Sequence, residues 1–335
     1  MKSTAGNERF KALLVEREDE HTSVHIRHLT EQQLPEGDVL VGVSHSSLNY
    51  KDGLAVTGRG KIVARYPHVP GVDFAGTVLD SASDRFTPGE EVLLTGWGVG
   101  ERHWGGFSQR ARVKSDWLVP MPAGLDSKQA MTIGSAGLTA MLCVMTLEDA
   151  GIKPGSGPVV VTGAAGGVGS VAVMLLSELG YEVAAVTGRA STHGFLRELG
   201  ATQLLSREEM SLPPRPLESQ RWAGAIDVVG GVMLARVLAE TKYGGAVAAT
   251  GLAGDATLTT SVMPFILRNV SLRGVESVTP PRSLREVAWS RLSATLPQTG
   301  YRRISRIISL EEVEAASRSI LAGEIRGRVL VDPNL

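Results

Sequence analysis

Cysteine is almost absent from this chain: Cys143 is the only one in 335 residues. That excludes an internal disulfide and any zinc site built from several thiolates. Excess charge of either sign is absent too, with 34 Lys and Arg against 35 Asp and Glu for a net charge of −1. A nearly neutral chain is a poor partner for nucleic acid or an anionic membrane surface. No apolar run approaches the length of a transmembrane helix. The start, Met1 to Arg9, is polar and lacks the apolar core of a signal peptide, so it reads as a short disordered tail. Internal repeats and low-complexity tracts are missing as well. These absences suit a soluble cytoplasmic protein. What is present is an apolar fraction of 43%, enough for full cores, in a length that suits two domains or one large one.

The stretch from Gly157 to Arg189 organises the rest. Val159 to Val161 is a short apolar run that suits a buried parallel strand. Gly163, Gly166, Gly167 and Gly169 then crowd a tight turn. Apolar residues at 168, 171, 172, 175, 176 and 179 follow with helical spacing, and Gly180 is placed to end that helix. Val183 to Val186 returns as a second strand. Strand, glycine turn, helix, strand is the context in which such a turn binds a dinucleotide. The glycines admit a pyrophosphate, and the helix N-terminus presents free N–H groups to it. An NAD site usually carries an acid about 20 residues on, for the ribose 2′-OH. Here the second strand ends Thr187-Gly188-Arg189, with no acid. Thr187 offers a hydrogen bond, and Arg189 and Arg207 offer charge and fork geometry for a 2′-phosphate. The alternative is two solvated surface arginines. The missing acid favours NADPH.

The N-terminal part predicts short strands at Phe10 to Glu16, Ser23 to His28 and Asp38 to Ser46, then glycine-turn segments up to Val113. Such a pattern suits a partly closed β-domain. His21, His25 and His28 are read as an exposed strand face rather than a metal cluster. Ser127 to Ala150 predicts two helices broken near Gly134 to Gly137. Strands at Gln203 to Ser206, Ala225 to Val229, Ala246 to Gly251 and Val270 to Val278 continue a doubly wound half. Residues after Gly300 return to the β-domain. The expected division is 1–128 with 300–335 for the β-domain and 129–299 for the nucleotide domain.

Pro70-Gly71-Val72-Asp73-Phe74-Ala75-Gly76 and the later glycine turn resemble the medium-chain dehydrogenase/reductase superfamily. Its zinc alcohol dehydrogenases have Gly-His-Glu in the first segment and a cysteine near the position of Asn49. Val72-Asp73 and Ser47 to Asp52 supply neither imidazole nor thiolate, so no zinc Lewis acid can be assembled from them and the metal expectation is none. The likeness is to the zinc-free, quinone-reductase-like branch, and within it to the acrylyl-CoA reductase family. The segments that carry it are 47–52, 93–100, His103-Trp104-Gly105-Gly106, 222–227 and 262–270. The resemblance implies an α/β fold, with a Rossmann nucleotide domain and a GroES-like catalytic domain. It implies NADPH-dependent reduction of acrylyl-CoA to propionyl-CoA in a cytoplasmic, often dimeric enzyme. Carried over residue by residue, cofactor contacts fall on Tyr50, Gly166, Gly167, Val168, Thr187, Gly188, Arg189, Arg207, Leu252, Ile266, Ser277 and Glu324, the last standing where asparagine is more usual.

The chemistry of an α,β-unsaturated thioester requires hydride at Cβ, stabilisation of the enolate oxygen and a proton at Cα. Tyr50 is either an orienting donor, with the proton coming from it or from solvent, or a packing surface for the nicotinamide ribose. Asn49 is a further polar donor. Lys51, Arg59, Lys61 and Arg65 are either an attraction for the phosphates of coenzyme A or an ordinary solvated loop. A general quinone reductase and a non-enzymatic NADPH-binding protein are the competing readings. The strand near 270–278 is expected at the sheet edge, where either pairing with its mate gives a homodimer, with Arg273 and Glu276 as opposite charges across the two-fold axis, or the helix from Ser283 covers the edge of a monomer.

Overall fold

The computed structural model describes residues 8–19 and 21–335, so most of the polar start lies outside the described residues. The chain divides into one unit running up to Ser135 and resumed by Ile304–Leu335, and a second unit, Ala136–Arg303.

In the first unit β1 (Phe10–Glu18) and β2 (His21–Leu29) form an antiparallel hairpin with Leu14 opposite His25. His21, His25 and His28 are exposed, and His25 lies 3.7 Å from Glu16. A seven-stranded sheet is built on β3 (Val39–Leu48), β4 (Asp73–Ser81), β5 (Glu91–Thr95), β6 (Arg110–Val113) and β7 (Val119–Pro120). The C-terminal strands Ser305–Ile308 and Arg328–Val331 complete it, the latter antiparallel to β3. The valines at 39, 41 and 43 alternate onto one face and pack with Phe74, Val78, Phe86 and Leu94. Leu40 and Leu48 join a second core with Leu13, Val15, Phe107 and Val329. With both faces of β3 buried, the strand anchors the unit.

Helix α1 (Tyr50–Thr57) begins where β3 ends, an element the sequence does not announce. It is short, and Gly53 sits inside it, which lowers its intrinsic preference. Tertiary contacts hold it instead. The Asn49 N–H donates to Asp52 Oδ2 at 2.9 Å in its first turn. Gly58 ends it with a left-handed φ of 67°. Gly53 lets the helix Val313–Leu321 approach so closely that a Cβ there would lie 2.8 Å from Ile320 Cγ2.

Helix α2 (Ser127–Asp149) is long and apolar enough by composition to cross a membrane, contrary to the expectation that no run approaches that length. Of its most apolar window, 83% is buried inside the protein, as for a core helix. It is broken at Gly134, whose φ of 53° and ψ of −159° are open essentially to glycine alone.

The second unit holds an all-parallel sheet of β8 (Val159–Val161), β9 (Val183–Thr187), β10 (Gln203–Ser206), β11 (Trp222–Asp227), β12 (Thr241–Ala249) and β13 (Ser271–Gly274). Their spatial order is β10-β9-β8-β11-β12-β13, the doubly wound arrangement that reverses direction between β8 and β11. Helix α3 (Gly167–Glu178) follows β8. The edge strand is shorter than the Val270 to Val278 expected. It ends because the Glu276 carboxylate accepts the N–H groups of Val278 and Thr279 and turns the chain.

Candidate active site

Within the second unit, the cofactor-related residues gather at the carboxyl ends of the parallel strands. The turn after β8 is tight: a Cβ on Gly169 would meet the Gly163 carbonyl oxygen at 2.3 Å, so only glycine lets α3 start this close to the strand. Gly166 is the N-cap of α3 and has no side chain to occupy the helix N-terminus. The first N–H groups of α3, at Gly167 and Val168, therefore remain for an anion. Beside this turn, the Thr162 hydroxyl donates to Asp227 Oδ1 at 2.7 Å, and Asp227 Oδ2 accepts from Gly230 N–H at 2.8 Å. That tie joins the ends of β8 and β11, and burial pushes the Asp227 carboxyl above its ordinary value. A buried acid closing the segment 222–227 was the signal for it, and the sequence reading passed over it.

Parallel pairing sets Ser206 beside Thr187, so Arg207 leaves β10 alongside Gly188 and Arg189 leaving β9. The Thr187 hydroxyl, buried and 2.9 Å from Thr192 Oγ1, also accepts the Arg189 N–H at 3.3 Å. Thr187 thus helps to shape the turn at the end of β9. The Arg207 guanidinium lies over the bare Cα of Gly188. Two arginines and no acid at this strand end fit a 2′-phosphate, and the open turn before α3 fits a pyrophosphate. Leu252 follows β12 with 66% of its surface exposed, and Ile266 is exposed on the helix Met263–Arg268. Ser277 Oγ accepts from Thr139 Oγ1 at 2.7 Å.

Within the first unit, Tyr50 is the first residue of α1 and is 44% exposed, and its hydroxyl has no hydrogen-bond partner among the described residues. Glu324 is exposed just beyond the helix that packs on α1, its N–H donating to Ser319 O at 3.0 Å. Asn49 differs from expectation. Its amide nitrogen donates to Asp73 Oδ2 at 3.1 Å and to Ser47 O at 3.2 Å, and its Oδ1 accepts from Arg328 Nη1 at 3.2 Å. The amide is satisfied within the protein and turned away from the role of a free substrate donor. Asp73 also accepts from Ser47 N at 3.0 Å, Ser47 Oγ at 2.7 Å and Ser135 N at 2.8 Å. Asp52 accepts the N–H groups of Gly71 and Val72, each at 3.0 Å. Burial, and secondarily the charge of Asp73, pushes the Asp52 carboxyl up to about 7. Asp52, Asp73 and Arg328 form a buried charge cluster that the sequence reading did not assemble, because Arg328 lies far along the chain. Of the four basic residues after Tyr50, Lys51 is held by Glu101 at 2.9 Å, while Arg59, Lys61 and Arg65 are exposed without an ion pair among the described residues.

Two folding units of this kind, one carrying the glycine turn and the other β3 and α1, define a medium-chain dehydrogenase/reductase. Residues 35–123 match the alcohol dehydrogenase GroES-like domain, and residues 167–294 match the zinc-binding dehydrogenase domain. The donor set does not fit zinc. Residues 47–52 and 72–73 hold neither cysteine nor histidine, Asp73 already accepts four hydrogen bonds, and a guanidinium sits in the same cluster. Among the described residues no group of three His, Cys, Asp or Glu is arranged to hold a metal ion. The probable acrylyl-CoA reductase AcuI of Escherichia coli is 58% identical over 97% of this chain and 100% of its own. Acrylyl-CoA reductase AcuI of Ruegeria pomeroyi is 53% identical over 97% of this chain and 99% of its own. The crystal structure of the yhdH oxidoreductase from Salmonella enterica in complex with NADP superposes with a TM-score of 0.95. It is 59% identical, covering 96% of this chain and 99% of that one. The chain belongs to the acrylyl-CoA reductase family, in the zinc-free branch of the superfamily.

Proposed function

We propose that this chain is an NADPH-dependent reductase that converts acrylyl-CoA to propionyl-CoA in the cytoplasm, where CoA thioesters and NADPH are both held. The observation that carries this reading is identity above 50% along nearly the whole length to acrylyl-CoA reductases. NADPH, when bound, supplies the hydride that reaches the β-carbon. The chain's own residues do the rest. The N–H groups of Gly167 and Val168 take the pyrophosphate, Gly188, Arg189 and Arg207 take the 2′-phosphate, and Leu252, Ile266, Ser277 and Glu324 complete the cofactor contacts. The Tyr50 hydroxyl, without a hydrogen-bond partner among the described residues, orients the thioester and delivers the proton to Cα. Charge on the thioester oxygen builds up as the hydride is transferred, so a donor placed there acts on the transition state more than on the substrate. Arg59, Lys61 and Arg65 attract the phosphates of coenzyme A. The protein works as a homodimer joined through β13.

The test is a steady-state panel of acceptors with NADPH and with NADH. Acrylyl-CoA with NADPH is expected to give the highest kcat/KM. Fast turnover of simple quinones with none of acrylyl-CoA overturns the substrate, and tight NADPH binding with no turnover of any acceptor overturns the enzyme. Tyr50→Phe is expected to lower kcat with the NADPH Kd unchanged.

A further inference from the structure

Arg328 is 3% exposed, and every nitrogen of its guanidinium is committed. Nε donates to Thr132 O at 3.1 Å, Nη1 to Asn49 Oδ1 at 3.2 Å and Nη2 to Ser47 Oγ at 2.7 Å. Register explains the placement. Val329 pairs with Leu48 on antiparallel strands, which sets Arg328 across from Asn49 at the end of β3. Ser47 and Asn49 each bridge the cation to the anion. Ser47 Oγ accepts from Arg328 and donates to Asp73 Oδ1, while Asn49 offers its oxygen to Arg328 and its nitrogen to Asp73 Oδ2. The opposite charges thereby fix which way the Asn49 amide points. Its backbone N–H is held by Asp52, which also holds Gly71 and Val72. Tyr50 is the next residue. The break in α2 belongs to the same device. A Cβ on Gly134 would lie 2.6 Å from Arg328 Nη2, 2.8 Å from Ser47 Oγ and 2.9 Å from Asp73 Oδ2, and the N–H that follows the break is the one Asp73 accepts.

We propose that Arg328 is a positioning residue whose buried guanidinium, paired through Ser47 and Asn49 with Asp73, provides the fixed central cation that a metal ion would supply, and so sets the first turn of α1 and with it Tyr50. Arg328 acts by holding Asn49, and Asn49 fixes where Tyr50 starts the helix. The cation is covalently part of the chain, so removing it releases that turn rather than the fold's distant β-hairpin. The effect on turnover rests on the reductase reading given above, while the effect on the helix does not.

The experiment compares the full-length protein with Arg328→Lys, Arg328→Met and the charge-neutral pair Arg328→Met with Asp73→Asn, the last guarding against a single variant that fails to fold. Amide hydrogen exchange is read without cofactor, and kcat, acceptor KM and NADPH Kd are read separately. The expected result is faster exchange confined to residues 49–54, with the β1–β2 hairpin unchanged. With it kcat falls tenfold or more, acceptor KM and NADPH Kd move less than threefold, and Arg328→Lys recovers part of the loss. Wild-type exchange over 49–54 in the charge-neutral pair overturns the proposal, and so does a uniform loss of protection across the unit. If the wild type reduces no acceptor at all, the reductase reading fails and the exchange result alone decides the role of Arg328.

Discussion

Arg207 lies where a side chain on Gly188 would be: a Cβ at Gly188 falls 2.8 Å from Arg207 Nε and 2.9 Å from its Cζ. The missing side chain is what lets the guanidinium settle at the end of β9, beside Arg189. Arg207 is exposed and its side chain is long, so Gly188→Ala moves the guanidinium rather than disturbing the sheet. The expected outcome is a loss of NADPH affinity of one to two decades, the scale of about 1.5–3 kcal/mol for a charge-assisted contact, with NADH little changed. Arg189→Ala is expected to do the same. Titration of both cofactors checks it, and equal loss of the two sinks the 2′-phosphate assignment.

The parts legible from sequence are those encoded locally. The βαβ unit around the glycine turn, the strand Gln203–Ser206 and the break near Gly134 were all readable from spacing and residue type. The lack of a cysteine and of a Gly-His-Glu was readable because it concerns two short segments. What was not legible depends on distant residues. Helix α1 has weak local preference and exists because Asp52 and the helix Val313–Leu321 hold it. Asn49 looked like a free donor because Asp73 Oδ2, which accepts from its amide nitrogen, is brought to it by the pairing of β3 with β4, and because Arg328, which donates to its oxygen and fixes the amide's orientation, is 279 residues away. Arg273 and Glu276 looked available for a partner chain, yet Arg273 binds Asp149 at 2.5 Å and Glu276 folds back on Thr279. The charges expected across the two-fold axis are therefore used within the chain.

Gly134→Ala is expected to be among the most destabilising substitutions in the first unit. Its φ and ψ alone cost a non-glycine residue about 1–3 kcal/mol, and the added methyl group would strike Arg328, Ser47 and Asp73. A loss of at least about 3 kcal/mol, or failure to fold, should appear in urea unfolding. A stable variant with an unchanged midpoint contradicts this packing.

Activity is expected to survive exhaustive dialysis against a strong chelator. Asp73, the carboxylate nearest the zinc-ligand positions of relatives, has its acceptor capacity taken by Ser47, Asn49 and Ser135. A rate that falls on dialysis and returns specifically with zinc contradicts the assignment.

His68 is 2% exposed, with Nε2 lacking a hydrogen-bond partner among the described residues. Burial, reinforced by His103 and opposed by a backbone hydrogen bond at Gly100, lowers it from 6.5 to about 4. The unfolded chain takes up a proton near 6.5 that the folded chain refuses until about 4. The stabilisation this residue contributes is therefore complete above 6.5 and is lost as pH falls through the window to about 4. A shift of that size corresponds to about 3 kcal/mol. Against His68→Phe, which keeps a ring and removes the titration, wild type should lose about that much more stability across the window. Parallel stability–pH curves for the two proteins would contradict it.

The dimer prediction turns on the free side of β13. Val275 N–H donates inward to Ala249 O at 2.9 Å. Successive residues of a strand face opposite ways, so Arg273 and Ser271 also turn inward and the Leu272 N–H points to the open edge. Leu272→Pro therefore removes an outward donor while leaving the inward bonds to β12 in place. An open edge with a half-buried leucine favours pairing with the same strand of a second copy, which closes the sheet and leaves no further edge there to extend. Wild type is expected to sediment as a dimer at micromolar concentration. Leu272→Pro should shift it toward monomer with the unfolding midpoint of the isolated chain little changed. Wild type that sediments as a monomer at that concentration, or a proline variant that remains fully dimeric, rules out assembly through this edge.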